Sequence, residues 1–264
     1  MALQAEFLIP SNIRNGDGLL RSLAAAAQQH GDRPVMRSTL QGRSPWLVLY
    51  GVGAPGQAEA RRRQTERNCH TVHWDAAYFS RGRKIGYFRV SVDSDHPQQW
   101  LDATPDDCSR WSVHETPIRE DADPRGPILL VGLGKKSRIY LKAEHWEVRK
   151  LAELRHRFPG RKIIYRPKPK HPHPVLAGID TDATTPIEKL LVGCSRVVCR
   201  HSNVAVDAVV AGVPIEVEDG AAQWLDGKPY TVENRLSFLH RLAWWQWRAD
   251  EAMQAWAFLR KIVV

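Results

Sequence analysis

The stretch Cys199-Arg-His-Ser-Asn-Val-Ala-Val-Asp-Ala-Val-Val-Ala-Gly-Val-Pro214 decides the fold class. A strand over Arg196–Arg200 runs into Ser202-Asn203, residue types that cap helices. Val204–Ala211 has helical composition up to Gly212, and Val213–Val217 opens the next strand. Strand, cap, helix, glycine, strand is the repeating unit of a mostly parallel sheet with right-handed crossovers. Backbone N–H groups at the start of such a helix face the carboxyl edge of the sheet and can hold an anion. Ser202 and Asn203 would also cap this helix in any α/β fold, so capping alone accounts for them equally well.

Working towards the N-terminus, the same alternation recurs. Pro127-Ile-Leu-Leu-Val-Gly132 reads as a strand followed by a Gly-Leu-Gly-Lys-Lys-Ser loop. A helix from about His145 to Phe158 carries Trp146, Val148, Leu151, Leu154 and Phe158 near helical spacing and stops at Gly160. Then come the strand Lys162–Arg166, the proline-locked loop Pro167-Lys-Pro-Lys-His-Pro-His-Pro174, and a helix capped by Thr185 with Pro186 in its first turn. In the first half, Trp46–Val52 is a buried strand, Gly53-Ala-Pro-Gly56 punctuates, and Gln57–Asn68 is a helix with Arg61, Arg62 and Arg63 on its solvated side. Strands follow over Cys69–Trp74 and Ile85–Val92. Residues 102–126, rich in Asp and Pro, read as a linker. From Glu233 to Lys261 the pattern is helical with a kink near Arg248–Asp250.

The 264 residues are 43% hydrophobic and 25% charged, and no apolar run approaches the ~20 residues that span a bilayer. No secretory signal is legible at the N-terminus, so a cytoplasmic protein is expected. Four cysteines, Cys69, Cys108, Cys194 and Cys199, lack C-x-x-C spacing and read as free thiols. The net charge of +9 is concentrated: residues 125–173 hold 14 basic and three acidic side chains. Such a field suits phosphates, of a nucleotide or of a nucleic acid, although part of it is the solvated side of a helix.

The polar-capped helix ending in Gly-x-Pro resembles the nucleotide-sugar-binding half of GT-B glycosyltransferases, over roughly residues 127–264. The resemblance implies two Rossmann-like domains facing across a cleft: an acceptor domain at 1–124, a donor domain at 125–235, and C-terminal helices at 236–264 packing back. It implies a nucleotide-sugar co-substrate and no cofactor. His201, Ser202 and Asn203 would lie at the donor, Arg166 and Lys168 would neutralise its diphosphate, and Lys135 would assist. Glu216, near the same edge, would accept a sugar hydroxyl; a solvent-facing strand end is an equal account of it. His171 and His173 have no partnering Cys or carboxylate cluster, so no metal is expected there.

For the acceptor half, a general base is needed in an inverting transfer. Thr71-Val-His-Trp-Asp-Ala-Ala-Tyr-Phe-Ser-Arg81 puts Asp75 at a strand end with Tyr78 and Arg81 beyond it, and Arg89-Val-Ser-Val-Asp-Ser-Asp-His96 supplies a second polar strand end. Asp75 is the first choice of base, then Asp93 and His96; Tyr78, Arg81 and Arg89 are the acceptor contacts. These segments and Leu242-Ala-Trp-Trp-Gln-Trp-Arg-Ala-Asp-Glu251 resemble phage-encoded glycosyltransferase-like proteins. That resemblance implies a 5-hydroxymethylpyrimidine in phage double-stranded DNA as acceptor, hence DNA modification and DNA binding. The alternatives are a cell-surface polysaccharide transferase, for which the sequence offers no clear amphipathic basic face, and a non-catalytic basic nucleic-acid-binding protein.

Overall fold

The computed structural model describes residues 1–9, 16–39, 43–51, 57–81, 86–114, 116–119, 122–169 and 172–263. The expected Gly53–Gly56 turn, Ile85 and His171 lie outside the described residues. The chain divides into two compact units, the first of Met1–His114 and Leu239–Val264, the second of Glu115–Phe238.

The first unit begins with β1 (Gln4–Leu8), α1 (Asp17–Gln29), β2 (Arg33–Arg37), β3 (Trp46–Tyr50), α2 (Gln57–Glu66), β4 (His70–Ala76), β5 (Tyr87–Val92) and α3 (Ser109–Ser112). The second holds β6 (Ile128–Val131), α4 (Lys135–Tyr140), α5 (Trp146–Arg157), β7 (Ile163–Arg166), β8 (Asp180–Thr181), α6 (Ile187–Leu191), β9 (Arg196–Cys199), α7 (Val204–Val210) and β10 (Ile215–Val217). Helix α8 (Val232–Ala243) runs into the return segment of β11 (Gln246–Arg248) and α9 (Ala252–Val263).

The first sheet has the order β11-β5-β4-β3-β1-β2. Strands β2, β1, β3 and β4 are parallel, and β5 and β11 are antiparallel additions. Its core is aromatic: Trp256 of α9 meets Trp46 at 5.3 Å and Phe7 at 5.7 Å between ring centroids. The buried indole N–H of Trp256 donates to Asp32 at 2.8 Å, and Asp32 also accepts from the Leu3 N–H, so one carboxylate ties α9 to the strand entrance. Helix α1 buries Leu19, Leu20, Leu23, Ala24, Ala26 and Ala27, an apolar stripe at helical spacing.

The tail is not one kinked helix. Gln246–Arg248 form a strand paired antiparallel with Tyr87–Arg89; Trp245, Gln246 and Trp247 are all buried, and the Gln246 side chain accepts from the Tyr78 and Phe79 N–H groups, which an extended segment covered on both faces allows. Part of the expected linker is also core: Trp111 and His114 are buried in the first unit. Pro186, not Thr185, occupies the cap position of α6.

The second sheet is wholly parallel, in the order β10-β9-β6-β7-β8. Its first strand in sequence, β6, lies between β7 and β9, so successive crossovers move first one way and then the other. The crevice outside the carboxyl ends of β6 and β9 is therefore a topological switch point, the place where open α/β sheets bind ligands.

Candidate functional site

Two loops part at that switch point, Gly132–Gly134 after β6 and Arg200–Asn203 after β9. Gly132 is required by packing, because a Cβ there would lie 2.5 Å from the Tyr165 hydroxyl. Its N–H donates to the Arg166 carbonyl at 2.8 Å, which extends the β6–β7 ladder to the loop. At Gly134 a Cβ would come within 2.9 Å of Lys168 Cδ, so the Lys168 side chain lies across this glycine. The expected glycine loop is shorter than the sequence pattern implies, since Lys135, Lys136 and Ser137 already belong to α4. Lys135 and Lys168 are both exposed and enter no ion pair among the described residues.

The loop is held from below by Glu147, whose side chain is fully buried. Its Oε1 accepts from the Leu133 N–H at 3.0 Å and from Arg138 at 2.6 Å. Arg138 also donates to the Pro172 carbonyl at 2.7 Å, joining the proline-rich loop to α4. Burial and the Glu147 charge push the Tyr165 phenol up to about 12, so it is a neutral group at ordinary pH.

On the β9 side, the Ser202 hydroxyl accepts from the Val204 N–H at 3.2 Å. Asn203 holds the cap position of α7, but its side chain makes no capping bond. Gly220, at φ +97°, backs onto His201, where a Cβ would approach its Cα to 3.2 Å. Burial pushes the Cys199 thiol up to about 12, which leaves it without nucleophilic thiolate.

Two donor-site expectations are placed differently. Arg166 donates to the Asp182 carbonyl at 2.9 Å and to its carboxylate at 3.3 Å, so it braces the segment after β8 instead of standing free at the edge. Glu216 accepts from Arg157 at 3.0 Å, with Lys150 at 3.8 Å, in a carboxylate–cation network on α5 and β10. Lys150 is itself buried and pairs with Glu153 and Glu218. Much of the basic block is thus neutralised internally.

The whole chain is similar in fold to solved glycosyltransferase domains. The β-Kdo 2,7 transferase of Thermosulfurimonas dismutans KpsC aligns with a TM-score of 0.54 at 13% identity, over 97% of this chain and 99% of that one. The β-Kdo 2,4 transferase of the same KpsC aligns with a TM-score of 0.57 at 11% identity, over 93% and 92%. No protein-family model matches the sequence. No curated protein matches it either.

In the first unit the structure gathers Asp75, Tyr78, Arg89 and His96 into one cluster at the carboxyl end of β4. Asp75 and Arg89 face each other in register, and Arg89 donates to the Asp75 carboxylate at 3.1 Å. A second Arg89 nitrogen lies 2.9 Å from His96 Nδ1, and the Tyr78 hydroxyl is also 2.9 Å from that atom. Arg89 can only donate, so His96 Nδ1 is the acceptor and the ring is neutral. Burial opposes the Arg89 charge, but Tyr78 and Asp75 outweigh it and raise the guanidinium's pKa. Burial pushes the Tyr78 phenol up to about 12.

His73, two residues before Asp75 and on the same face, completes this layer. It is 1% exposed, neither ring nitrogen has a hydrogen-bond partner among the described residues, and burial together with the Arg89 charge pushes it down to about 4. Arg61, expected on the solvated side of α2, turns inward to Asp95 at 2.6 Å. Burial raises the Asp95 carboxyl, but Arg61 outweighs this and holds it below the ordinary carboxylate range.

Among the expected bases, only Asp75 combines a place in the cluster with partial exposure, its side chain being 27% accessible. His96 is 3% exposed. Asp93 lies at the opposite end of β4, where its carboxylate meets His70 Nδ1 at 2.7 Å and accepts the Thr71 N–H at 2.8 Å. The structure therefore separates Asp93 from Asp75 and His96. Arg81 is exposed beyond the Tyr78 turn. Sequence reasoning missed His73, Arg61, Asp95, Arg138 and Glu147. The available signal was the polar face Thr71-His73-Asp75 on a strand, which reads as solvent-facing unless a helix covers it.

Proposed function

We propose that this chain is a glycosyltransferase that moves a sugar from a nucleotide-activated donor to a saccharide hydroxyl. The observation that carries the donor half is the switch point of the second sheet, where two loops part and exposed Lys135 and Lys168 stand beside Gly134. Backbone N–H groups and these cations would stabilise the leaving phosphate. His201, Ser202 and Asn203 border the same crevice. Asp75 would take the acceptor proton, with Arg89 orienting its carboxylate and exposed Arg81 next to the acceptor; Tyr78, expected as an acceptor contact, is 1% exposed and would support Arg89 and His96 instead. No cofactor enters this scheme.

Similarity in fold to two Kdo transferases favours a saccharide acceptor and makes a carboxylated sugar such as Kdo the first donor sugar to test. The hydroxymethylpyrimidine acceptor rests on the phage-like segments, which no comparison supports, and on the basic block. That block is weaker than its composition suggests, because Arg138, Lys150, Arg157, Lys162 and Arg166 are paired with carboxylates.

The test is thermal unfolding against a panel of nucleotides and nucleotide sugars, including activated Kdo. A ligand at 100 times its Kd stabilises by about 2.7 kcal/mol. Stabilisation by one nucleotide class, lost in Lys135→Ala/Lys168→Ala, supports the donor site. No stabilisation by any of them contradicts it.

A further inference from the structure

Helix α4 buries none of its six residues. Its two most C-terminal side chains are apolar and open to solvent, Ile139 at 63% and Tyr140 at 56% exposure. One turn earlier stand Lys135 and Lys136, so each lysine neighbours an exposed apolar residue four positions on. Beyond the helix Leu141 packs towards the core, while Lys142 turns outward. The first turn of α5 adds exposed Val148 and Arg149. The Arg138 bond to Pro172 brings in the segment leading to Val175, which is 94% exposed.

Lys135, Lys136, Lys142 and Arg149 enter no ion pair among the described residues. Within 132–152 the carboxylates are Glu144, which is exposed, and Glu147, which is buried against Arg138. The surface is thus strongly positive as well as apolar, and its side chains Ile139, Tyr140, Val148 and Val175 are exposed to solvent.

We infer that this surface docks the protein on an anionic lipid bilayer, Ile139, Tyr140, Val148 and Val175 entering the interface and Lys136, Lys142 and Arg149 meeting headgroup phosphates. Charge complementarity identifies the partner's sign, and the apolar side chains separate a bilayer from a nucleic acid. A duplex backbone would be met by the cations alone and gains nothing from exposed Ile139 or Val175. The inference goes beyond sugar transfer and does not depend on it.

Flotation of the full chain with vesicles of phosphatidylcholine, and of phosphatidylcholine mixed with phosphatidylglycerol, tests it. Binding is expected only to the mixed vesicles and should fall with salt. Lys136→Glu/Lys142→Glu should weaken partitioning by at least about 30-fold, at about fivefold for each basic residue lost near an anionic surface. Ile139→Ser/Tyr140→Ser should also weaken it several-fold, with unchanged circular-dichroism melting in both variants. Failure to bind the mixed vesicles overturns the inference, as does unaltered binding by the folded Ile139→Ser/Tyr140→Ser variant. Duplex DNA binding that needs the lysines but not Ile139 and Tyr140, without vesicle binding, assigns the surface to nucleic acid instead.

Discussion

His73→Leu should flatten the acid limb of the protein's stability. In the folded chain the imidazole is buried beside Arg89, without a hydrogen-bond partner among the described residues, and it takes a proton only near pH 4, whereas an unfolded histidine does so near 6.5. The unfolded state therefore binds more protons across that window, and stability falls as pH drops from about 6.5 to about 4, levelling below. Each pH unit of separation is worth about 1.4 kcal/mol, so the full loss is roughly 3 kcal/mol. Leucine fills a similar volume and has no proton to refuse. Asp95 contributes a loss of the same sign, but its depressed carboxyl titrates below the carboxylate reference of 3.8, outside most of the window. Urea unfolding at intervals from pH 7.5 to 4 gives both curves. Parent and variant should diverge progressively below pH 6.5. Parallel curves would mean that the His73 imidazole is protonated as readily in the folded chain as in the unfolded one, against its burial beside Arg89.

Other substitutions separate site from scaffold. Asp75→Asn should lower turnover by about 10²–10⁴ while leaving donor affinity unchanged, measured by steady-state kinetics and nucleotide titration. Lys168→Ala should weaken donor binding by about 10–100-fold without shifting the melting temperature, because the side chain is exposed and its proposed contact is charge-assisted. Arg166→Ala should instead lower the midpoint of denaturant unfolding while leaving nucleotide affinity unchanged, since it removes the bonds that hold the Asp182 segment to β7. Gly132→Ala should destabilise by about 1–3 kcal/mol through overlap with the Tyr165 hydroxyl, and Tyr165→Phe should recover part of that loss.

The second half of the fold was legible because its units are local. Each strand, cap and glycine lies within about 15 residues of the next, and periodicity finds them. The first 45 residues were not read, although Leu19, Leu20 and Leu23 mark α1 and the turn signals Asn15-Gly16-Asp17-Gly18 and Gly31-Asp32 bracket it; their strands β1 and β2 are only five residues each, too short for a clear period. Strand β11 was hidden inside a helical pattern because Leu242, Trp245 and Trp256 are core residues whichever period carries them. Site residues divide similarly. Asp75, Tyr78, Arg89 and His96 stand at strand ends, which sequence finds, and they meet. Glu147 and Arg138 act across the fold, and nothing in a helix pattern distinguishes a buried glutamate on α5 from a solvated one. Arg166 and Glu216 were expected at the ligand because their strands end at the right edge, but their long side chains found protein partners in Asp182 and Arg157.

The most direct measurement of the central claim is product mass after incubation with nucleotide sugars, activated Kdo among them, and two acceptor sets: oligosaccharides, and duplexes carrying cytosine, 5-hydroxymethylcytosine or 5-hydroxymethyluracil. A sugar-sized mass increment on a saccharide, abolished by Asp75→Asn, is expected. An increment confined to the hydroxymethylated duplexes would refute the saccharide acceptor, and no transfer from any donor to either set, with no nucleotide bound, would refute the glycosyltransferase itself.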